Sequence, residues 1–416
     1  MGGETSPVLA DVGGRPGVDC GGFCRYCYFR GVDWEEKRPF GCKNCPPGSP
    51  GCDYCGRSVW EDNGPFRPPG VVLQEVGMSL GFRREREATV SGGGDISNYP
   101  WLRELVASLR DLGIRSVQLG YTSGKGFEDP EEVEELCDLG VRSVSYTVFA
   151  WDPELRREWM GDRSPEASLA CLEVFADRCE EVMVAAVLIP GVNDGDVLWK
   201  TCERLEELGI DALLLMRLGT REEHGIILGN SLVLDVKPHS LDEFKRIVTE
   251  VHEEFPFRVT GTPLWDPETS APFALRTLGE ELRELLPPVE VECSLITGRV
   301  AAPLIREVFR HVEGGEKVDV VPVEKDVACL ITERDLERLD VSSLKRTVVL
   351  PGRALVHDAR AEELLKRDGF ERVVLRGPDR LTLDGEASCE VDREEVLEFE
   401  LNAFRDLINT VNILGE

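Results

Sequence analysis

The chain has 416 residues, 42% of them hydrophobic, and carries 78 acidic against 48 basic side chains for a net charge of −30. That length predicts about two to three domains with a sizeable core, and the acidity excludes general binding to a nucleic-acid phosphate backbone, which needs stripes of Lys and Arg. No run of about 18 apolar residues occurs, which excludes a membrane-spanning helix, and the opening Met1-Gly2-Gly3-Glu4 lacks the basic and apolar regions of a secretory signal, so a cytoplasmic protein is expected.

Residues 1–70 are rich in Gly, Pro and Cys and show little hydrophobic periodicity, so metal rather than an apolar core is expected to organise them. Residues 71–286 change character. Ala88-Thr89-Val90 reads as a strand running into Ser91-Gly92-Gly93-Gly94-Asp95. Leu102, Leu105, Val106, Leu109 and Leu112 line one face of a helix that Gly113 stops. Strands follow at 116–119, 143–149, 182–189 and 212–216. Between and after them come helices at 129–139, from Ser164-Pro165 onward, around Leu198 to Leu208, and after the capping box Ser240-Leu241-Asp242-Glu243. Repeated β–α units of this kind build a parallel sheet with right-handed crossovers. Polar loops fall after strands, where barrel sites assemble, and this favours a partial (β/α) barrel over a doubly wound sheet. Pro287-Pro288 breaks the pattern. A smaller α+β domain is expected over 289–416, with strands at 318–323, 328–332, 347–350 and 373–375 and a C-terminal helix over 394–411.

Fourteen cysteines with no export signal argue for metal ligation, and seven of them lie between Cys20 and Cys55. The other seven are scattered and read mostly as small buried hydrophobes. Cys20, Cys24 and Cys27 form C-x-x-x-C-x-x-C. One reading is a structural zinc or iron knot short of a ligand; the other is a [4Fe–4S] cluster held at three corners, with one iron open for chemistry. Cys42-x-x-Cys45 and Cys52-x-x-Cys55 are two knuckles that can close a tetrahedral four-thiolate site for one iron or zinc, and a second cluster is an alternative.

The cysteine trio, followed by aromatics and by the Gly-Gly-Gly-Asp loop, resembles the radical S-adenosylmethionine enzymes. The resemblance implies that Cys20, Cys24 and Cys27 ligate a [4Fe–4S] cluster whose open iron chelates S-adenosylmethionine. Tyr26 would then lie near the adenine, and Gly92, Gly93, Gly94 and Asp95 would bind the amino group. Reduction of the cluster would cleave the cofactor to a 5′-deoxyadenosyl radical. The narrower composite is Cys24-Arg25-Tyr26-Cys27-Tyr28-Phe29-Arg30-Gly31, the double knuckle and Ile189-Pro190-Gly191-Val192-Asn193-Asp194. It resembles the methanogenesis marker protein ten family, which methylates an arginine of methyl-coenzyme M reductase. That resemblance alone implies cobalamin, an electron donor and the reductase alpha subunit as protein partner. No D-x-H-x-x-G cobalamin motif occurs, and none of the five isolated histidines is assigned to cobalt. Tyr121, after a strand, is a catalytic candidate or a packing residue. Asp152, Asp162 and Asp194 are loop carboxylates able to pair with an arginine substrate or simply to face solvent, and Asp162 is taken as a catalytic candidate.

Overall fold

The computed structural model describes residues 7–31, 64–80, 86–226 and 234–415. The four cysteines Cys42, Cys45, Cys52 and Cys55 lie outside the described residues. The chain divides into two compact units.

The first unit carries β1 (Val8–Asp11), α1 (Pro69–Leu80), β2 (Glu87–Ser91), α2 (Leu102–Asp111), β3 (Ser116–Thr122), α3 (Pro130–Leu139), β4 (Val141–Thr147), α4 (Pro165–Arg178), β5 (Glu181–Leu188), α5 (Gly195–Leu208), β6 (Ala212–Arg217) and α6 (Leu241–Glu254). β7 (Arg258–Thr262) completes the sheet, whose order is β1 through β7 without interruption. Each neighbouring pair from β1 to β6 is parallel. Sequential order means that every crossover advances the same way round, the open-barrel arrangement anticipated from the loops. β5 is apolar along its length because seven of its eight residues are buried. α3 starts where the sequence marks it: Asp129 accepts from Glu131 N, Pro130 takes the first turn, and Gly140 ends the helix at φ +124°. The register pairs Asp11 with Ser91, so the loops leaving β1 and β2 emerge side by side.

The second unit contains β8 (Cys293–Thr297), α7 (Ala301–Arg310), β9 (Val318–Pro322), α8 (Glu333–Arg338), β10 (Thr347–Leu350), α9 (Asp358–Leu365), β11 (Val373–Arg376) and α10 (Arg393–Leu414). Its four strands are all parallel, in the order β11-β10-β8-β9. Leu295 and Val349 pack on one face with Ile305 and Phe309 of α7 and Phe404 and Leu407 of α10. Ile296, Val348 and Leu350 pack on the other face with Leu336 of α8 and Leu364 of α9. This domain is therefore a doubly wound α/β unit, a correction to the expected α+β arrangement: alternation along short strands buries both faces under helices.

Two further expectations change. Residues 328–332 form a 3-10 turn at Ala328–Leu330 that leads into α8, not a strand, because the Thr332–Asp335 capping box starts a helix there. The main segment of the second unit begins at Thr260, within β7, and not after Pro287-Pro288. The segment before the prolines is bound into the tail: Glu400 accepts from Phe273 N at 2.6 Å and Leu275 N at 3.1 Å, and Asp266 accepts from Ser388 Oγ at 2.6 Å. Likewise β1 and the cysteine loop belong to the first unit's sheet and are not a separate 1–70 module. Among the described residues, no helix is long and apolar enough to cross a membrane.

Candidate active site

Backbone crowding builds the site. After β1 the chain turns through Gly13 and Gly14, at φ +64° and +104°. A Cβ on Gly92 would lie 2.2 Å from Gly13 O, and one on Gly14 would lie 2.8 Å from Gly94 N. The two glycine turns interlock back to back, and no larger residue fits. This contact seats the cysteine loop against the loop after β2. Gly17 N donates to Cys20 Sγ at 3.1 Å, and Asp95 N–H also favours the Cys20 thiolate.

The far side of the cysteine loop docks on residues 149–160. Arg25 N donates to Trp159 O at 2.8 Å, the Cys24 thiol donates to Met160 O at 3.6 Å, and Arg25 pairs with Glu158 at 2.7 Å. Tyr26 stacks on Phe149 with centroids 5.2 Å apart, and Phe149 stacks in turn on Trp159 at 6.2 Å. Phe149 reaches this position with φ +65°, a left-handed conformation that a side chain of its size adopts only under constraint. The constraint is Asn193. Its Nδ2 donates to Phe149 O at 2.8 Å and Val187 O at 2.9 Å, while its Oδ1 accepts from Ile189 N at 2.7 Å.

Burial pushes all three thiols up, Cys27 to about 12. Three thiolates buried together need positive charge. The cation at hand is Lys125, whose Nζ lies 4.0 Å from Cys24 Sγ and donates to Gly22 O at 3.0 Å and Met160 O at 3.2 Å. An iron–sulfur cluster would supply the rest: its thiolate ligands each take a different iron, so a single loop of three cysteines suits it. Among the described residues, no three His, Cys, Asp or Glu side chains converge on one metal ion.

Asp95 is buried and holds the loops together. Its Oδ1 accepts from Ser97 N at 3.1 Å, Ser97 Oγ at 2.8 Å, Thr122 Oγ1 at 3.0 Å and Ser123 N at 3.2 Å, and its Oδ2 accepts from Ser123 Oγ. Those bonds fasten the ends of β2 and β3 together beside the cysteines. Ser123 O accepts in turn from Arg156 Nη2 at 2.6 Å. Arg156 is wholly buried. It also donates to Val148 O at 2.6 Å and pairs with Asp162 at 2.8 Å.

Cys20, Cys24, Cys27, Tyr26, Gly92, Gly94 and Asp95 therefore meet at the carboxyl ends of β1 to β4, with Gly93 in the same loop. Tyr121 is 39% exposed, and it is Thr122 and Ser123 beside it that reach Asp95. Asp162 is corrected from a substrate-pairing candidate to an internal partner of Arg156, because neither side chain of the pair is exposed. The carboxylates of Asp152 and Asp194 are also committed within the unit, Asp152 to the N–H groups of Glu154 and Leu155, Asp194 to Gly191 N and His239. The sequence did not single out Lys125, Phe149 or Arg156, and it named Asn193 only within the segment Ile189 to Asp194, with no role of its own. Lys125 sat in a Gly-rich segment after a strand, which was a usable signal. Arg156 is one of two adjacent arginines that nothing local distinguishes.

Residues 15–205 match the profile of the Radical SAM superfamily. The FeMo cofactor biosynthesis protein NifB of Rhodobacter capsulatus is 26% identical over 209 residues, covering 43% of this chain and 44% of that protein. The chain thus spans less than half the length of that relative. SuiB of Streptococcus suis, solved with its precursor peptide SuiA, is 14% identical with a TM-score of 0.40, covering 60% of this chain and 48% of SuiB. The radical S-adenosylmethionine methyltransferase TsrM of Kitasatospora setae, solved with cobalamin and a [4Fe–4S] cluster, is 13% identical with a TM-score of 0.35, covering 51% of this chain and 34% of TsrM. The cysteine loop, the glycine loop and β1 to β5 of the sequential parallel sheet thus fall in, or close to, the segment that matches the Radical SAM superfamily profile.

Proposed function

We propose that the chain is a radical S-adenosylmethionine methyltransferase that transfers a methyl group, by way of cobalamin, to an arginine Cα in the alpha subunit of methyl-coenzyme M reductase. The observation that carries this reading joins two segments of the family resemblance. Asn193 of Ile189-Pro190-Gly191-Val192-Asn193-Asp194 holds the strained Phe149 backbone on which Tyr26 of the cysteine loop stacks. Two motifs far apart in sequence thus serve one aromatic platform beside the cluster cysteines.

When bound, the cluster supplies the electron that cleaves S-adenosylmethionine, and cobalamin supplies a carrier for the methyl group. Cys20, Cys24 and Cys27 would hold the cluster, and Lys125, 4.0 Å from Cys24 Sγ, would supply positive charge to it. Asp95 orients the loop after β2 through Ser97, Thr122 and Ser123, and its own backbone N–H faces Cys20. For cobalamin, the second unit offers a cavity of about 250 Å³ lined by Leu295, Thr297, Val300, Leu350, Pro351 and Arg353, among others. It opens at the carboxyl ends of β8 and β10, where the strand order reverses, the usual ligand position in a doubly wound sheet. The lining is mainly apolar and contains no histidine, so it would offer the cobalt of a bound corrinoid no imidazole. The four cysteines at 42, 45, 52 and 55 would hold one iron or zinc in a structural role. The reading also includes an electron donor, and neither nucleic acid nor membrane as a partner.

The test is mass spectrometry of an arginine-containing peptide from the reductase alpha subunit after anaerobic incubation with enzyme, cobalamin, S-adenosylmethionine and a reductant. A gain of one methyl on the arginine is expected, and Cys24→Ala should abolish it. Formation of 5′-deoxyadenosine with no methyl gained would replace this reading with a cobalamin-independent radical enzyme. No cleavage on reduction would replace it with an iron–sulfur electron-transfer protein.

A further inference from the structure

At the end of the sheet opposite the cluster loop, two of the scattered cysteines meet. Cys137 lies in the last turn of α3 just before β4, and Cys179 immediately follows α4 just before β5. Their sulfurs stand 4.0 Å apart. Cys137 is buried and Cys179 is half-buried, so a small molecule can reach the pair from one side. Two arginine–carboxylate pairs border the site: Arg142 Nη1 donates to Cys137 O at 2.6 Å and its Nε lies 3.7 Å from Glu180, and Arg178 pairs with Asp138. The two sulfurs share a hydrogen bond in which either can donate; that contact favours charge on Cys137 against the cost of burial, and the same contact with burial pushes Cys179 up. Two sulfurs in hydrogen-bond contact at neighbouring helix ends are the arrangement from which thiol–disulfide exchange within a pair can start.

We propose that Cys137 and Cys179 are a reversible dithiol–disulfide site, separate from the cluster cysteines, that exchanges with a low-molecular-weight disulfide. In the step, both S–H bonds break and one S–S bond forms between the two sulfurs. The two electrons and two protons pass to the incoming disulfide, which leaves as two thiols. A disulfide needs the sulfurs roughly 2 Å closer than they stand. Rotation of the Cys179 side chain, at the extended C-cap residue of α4, would supply that movement. The bond ties the end of α3 to the end of α4 and leaves Cys20, Cys24 and Cys27 untouched at the far end of the strands. The inference is independent of the methyltransferase reading.

The test uses the full-length, cluster-loaded protein under anaerobic conditions, equilibrated against mixtures of reduced and oxidised glutathione. Free thiols are then alkylated and the peptides mapped by mass spectrometry. The expected result is a linked peptide pair joining Cys137 to Cys179, with a disulfide-to-dithiol ratio that changes tenfold per about 30 mV, as a two-electron couple requires. The visible absorption of the cluster should stay constant across that range. Cys179→Ser should remove the link and leave Cys137 open to alkylation or glutathionylation. Should that variant fail to fold, the wild-type map decides by itself. Alkylation of both cysteines at every glutathione ratio, or links from Cys137 to other cysteines as often as to Cys179, would overturn the proposal.

Discussion

Asp162→Asn separates a structural carboxylate from a substrate-binding one. In the native unit the Asp162 Oδ2 atom accepts from Arg156 Nε at 3.0 Å and Nη2 at 2.8 Å, and its Oδ1 accepts from Ser164 N at 3.1 Å. The amide has the same shape but no charge, and its NH₂ group must face either the guanidinium or Ser164 N–H. Arg156 is left wholly buried without a counterion, bonded only to the carbonyls of Ser123, Thr147 and Val148. Breaking one partner of a buried ion pair costs about 3–5 kcal/mol. Replacing both, as in R156M with D162L, removes the stranded charge but leaves three carbonyls without their donor and Ser164 N–H without its acceptor, at about 1 kcal/mol each, so the double variant should remain about 4 kcal/mol below wild type. Anaerobic urea unfolding followed by circular dichroism measures both. For a first unit of this size, 4 kcal/mol corresponds to a loss of about 10 °C in melting temperature. The reasoning fails if Asp162→Asn lies within about 1 kcal/mol of wild type while peptide substrate binds more weakly. That outcome would return Asp162 to the substrate.

The other predictions test neighbouring links. Burial pushes the Glu400 carboxyl up to about 7 from an ordinary 4.5, so the folded state holds a proton that the unfolded chain releases. This group's contribution to the second unit's stability should therefore fall as pH rises from about 4.5 to 7, by about 3 kcal/mol in all. Urea midpoints that rise across that window would contradict the shift. Gly92→Ala places a methyl 2.2 Å from Gly13 O, so it should separate the glycine turns and sharply reduce cluster loading, read as iron and sulfide per chain. Normal loading would mean the turns can part without consequence. Lys125→Met removes the cation 4.0 Å from Cys24 Sγ and should make the cluster harder to reduce; an EPR-monitored redox titration with an unchanged midpoint would exclude that role for Lys125.

The parallel sheet of the first unit was legible because β5 and most of β6 are buried on both faces and its helices carry Asp129-Pro130, Ser164-Pro165 and Ser240-x-x-Glu243 as start signals. The cysteine trio was legible because its spacing lies within one loop, so no fold is needed to bring the thiols near one another. Burial on two faces, helix capping and loop-scale proximity are local properties, and sequence records them. What each loop carboxylate does is not local. Asp95, Asp162 and Asp194 look alike in sequence, and only the crossing of β2, β3 and β4 decides that Asp95 gathers the loops, Asp162 balances Arg156 and Asp194 meets His239. The same holds for Phe149, whose strained backbone exists because Asn193, 44 residues later, holds its carbonyl. It holds too for the tail's boundary, drawn by Glu400 reaching back to Phe273 and Leu275. Sequence alone predicted a loop of three closely spaced cysteines on a β/α scaffold. The tertiary structure chose the partners of the buried charges, because a charge removed from water takes whichever opposite group the fold brings within reach.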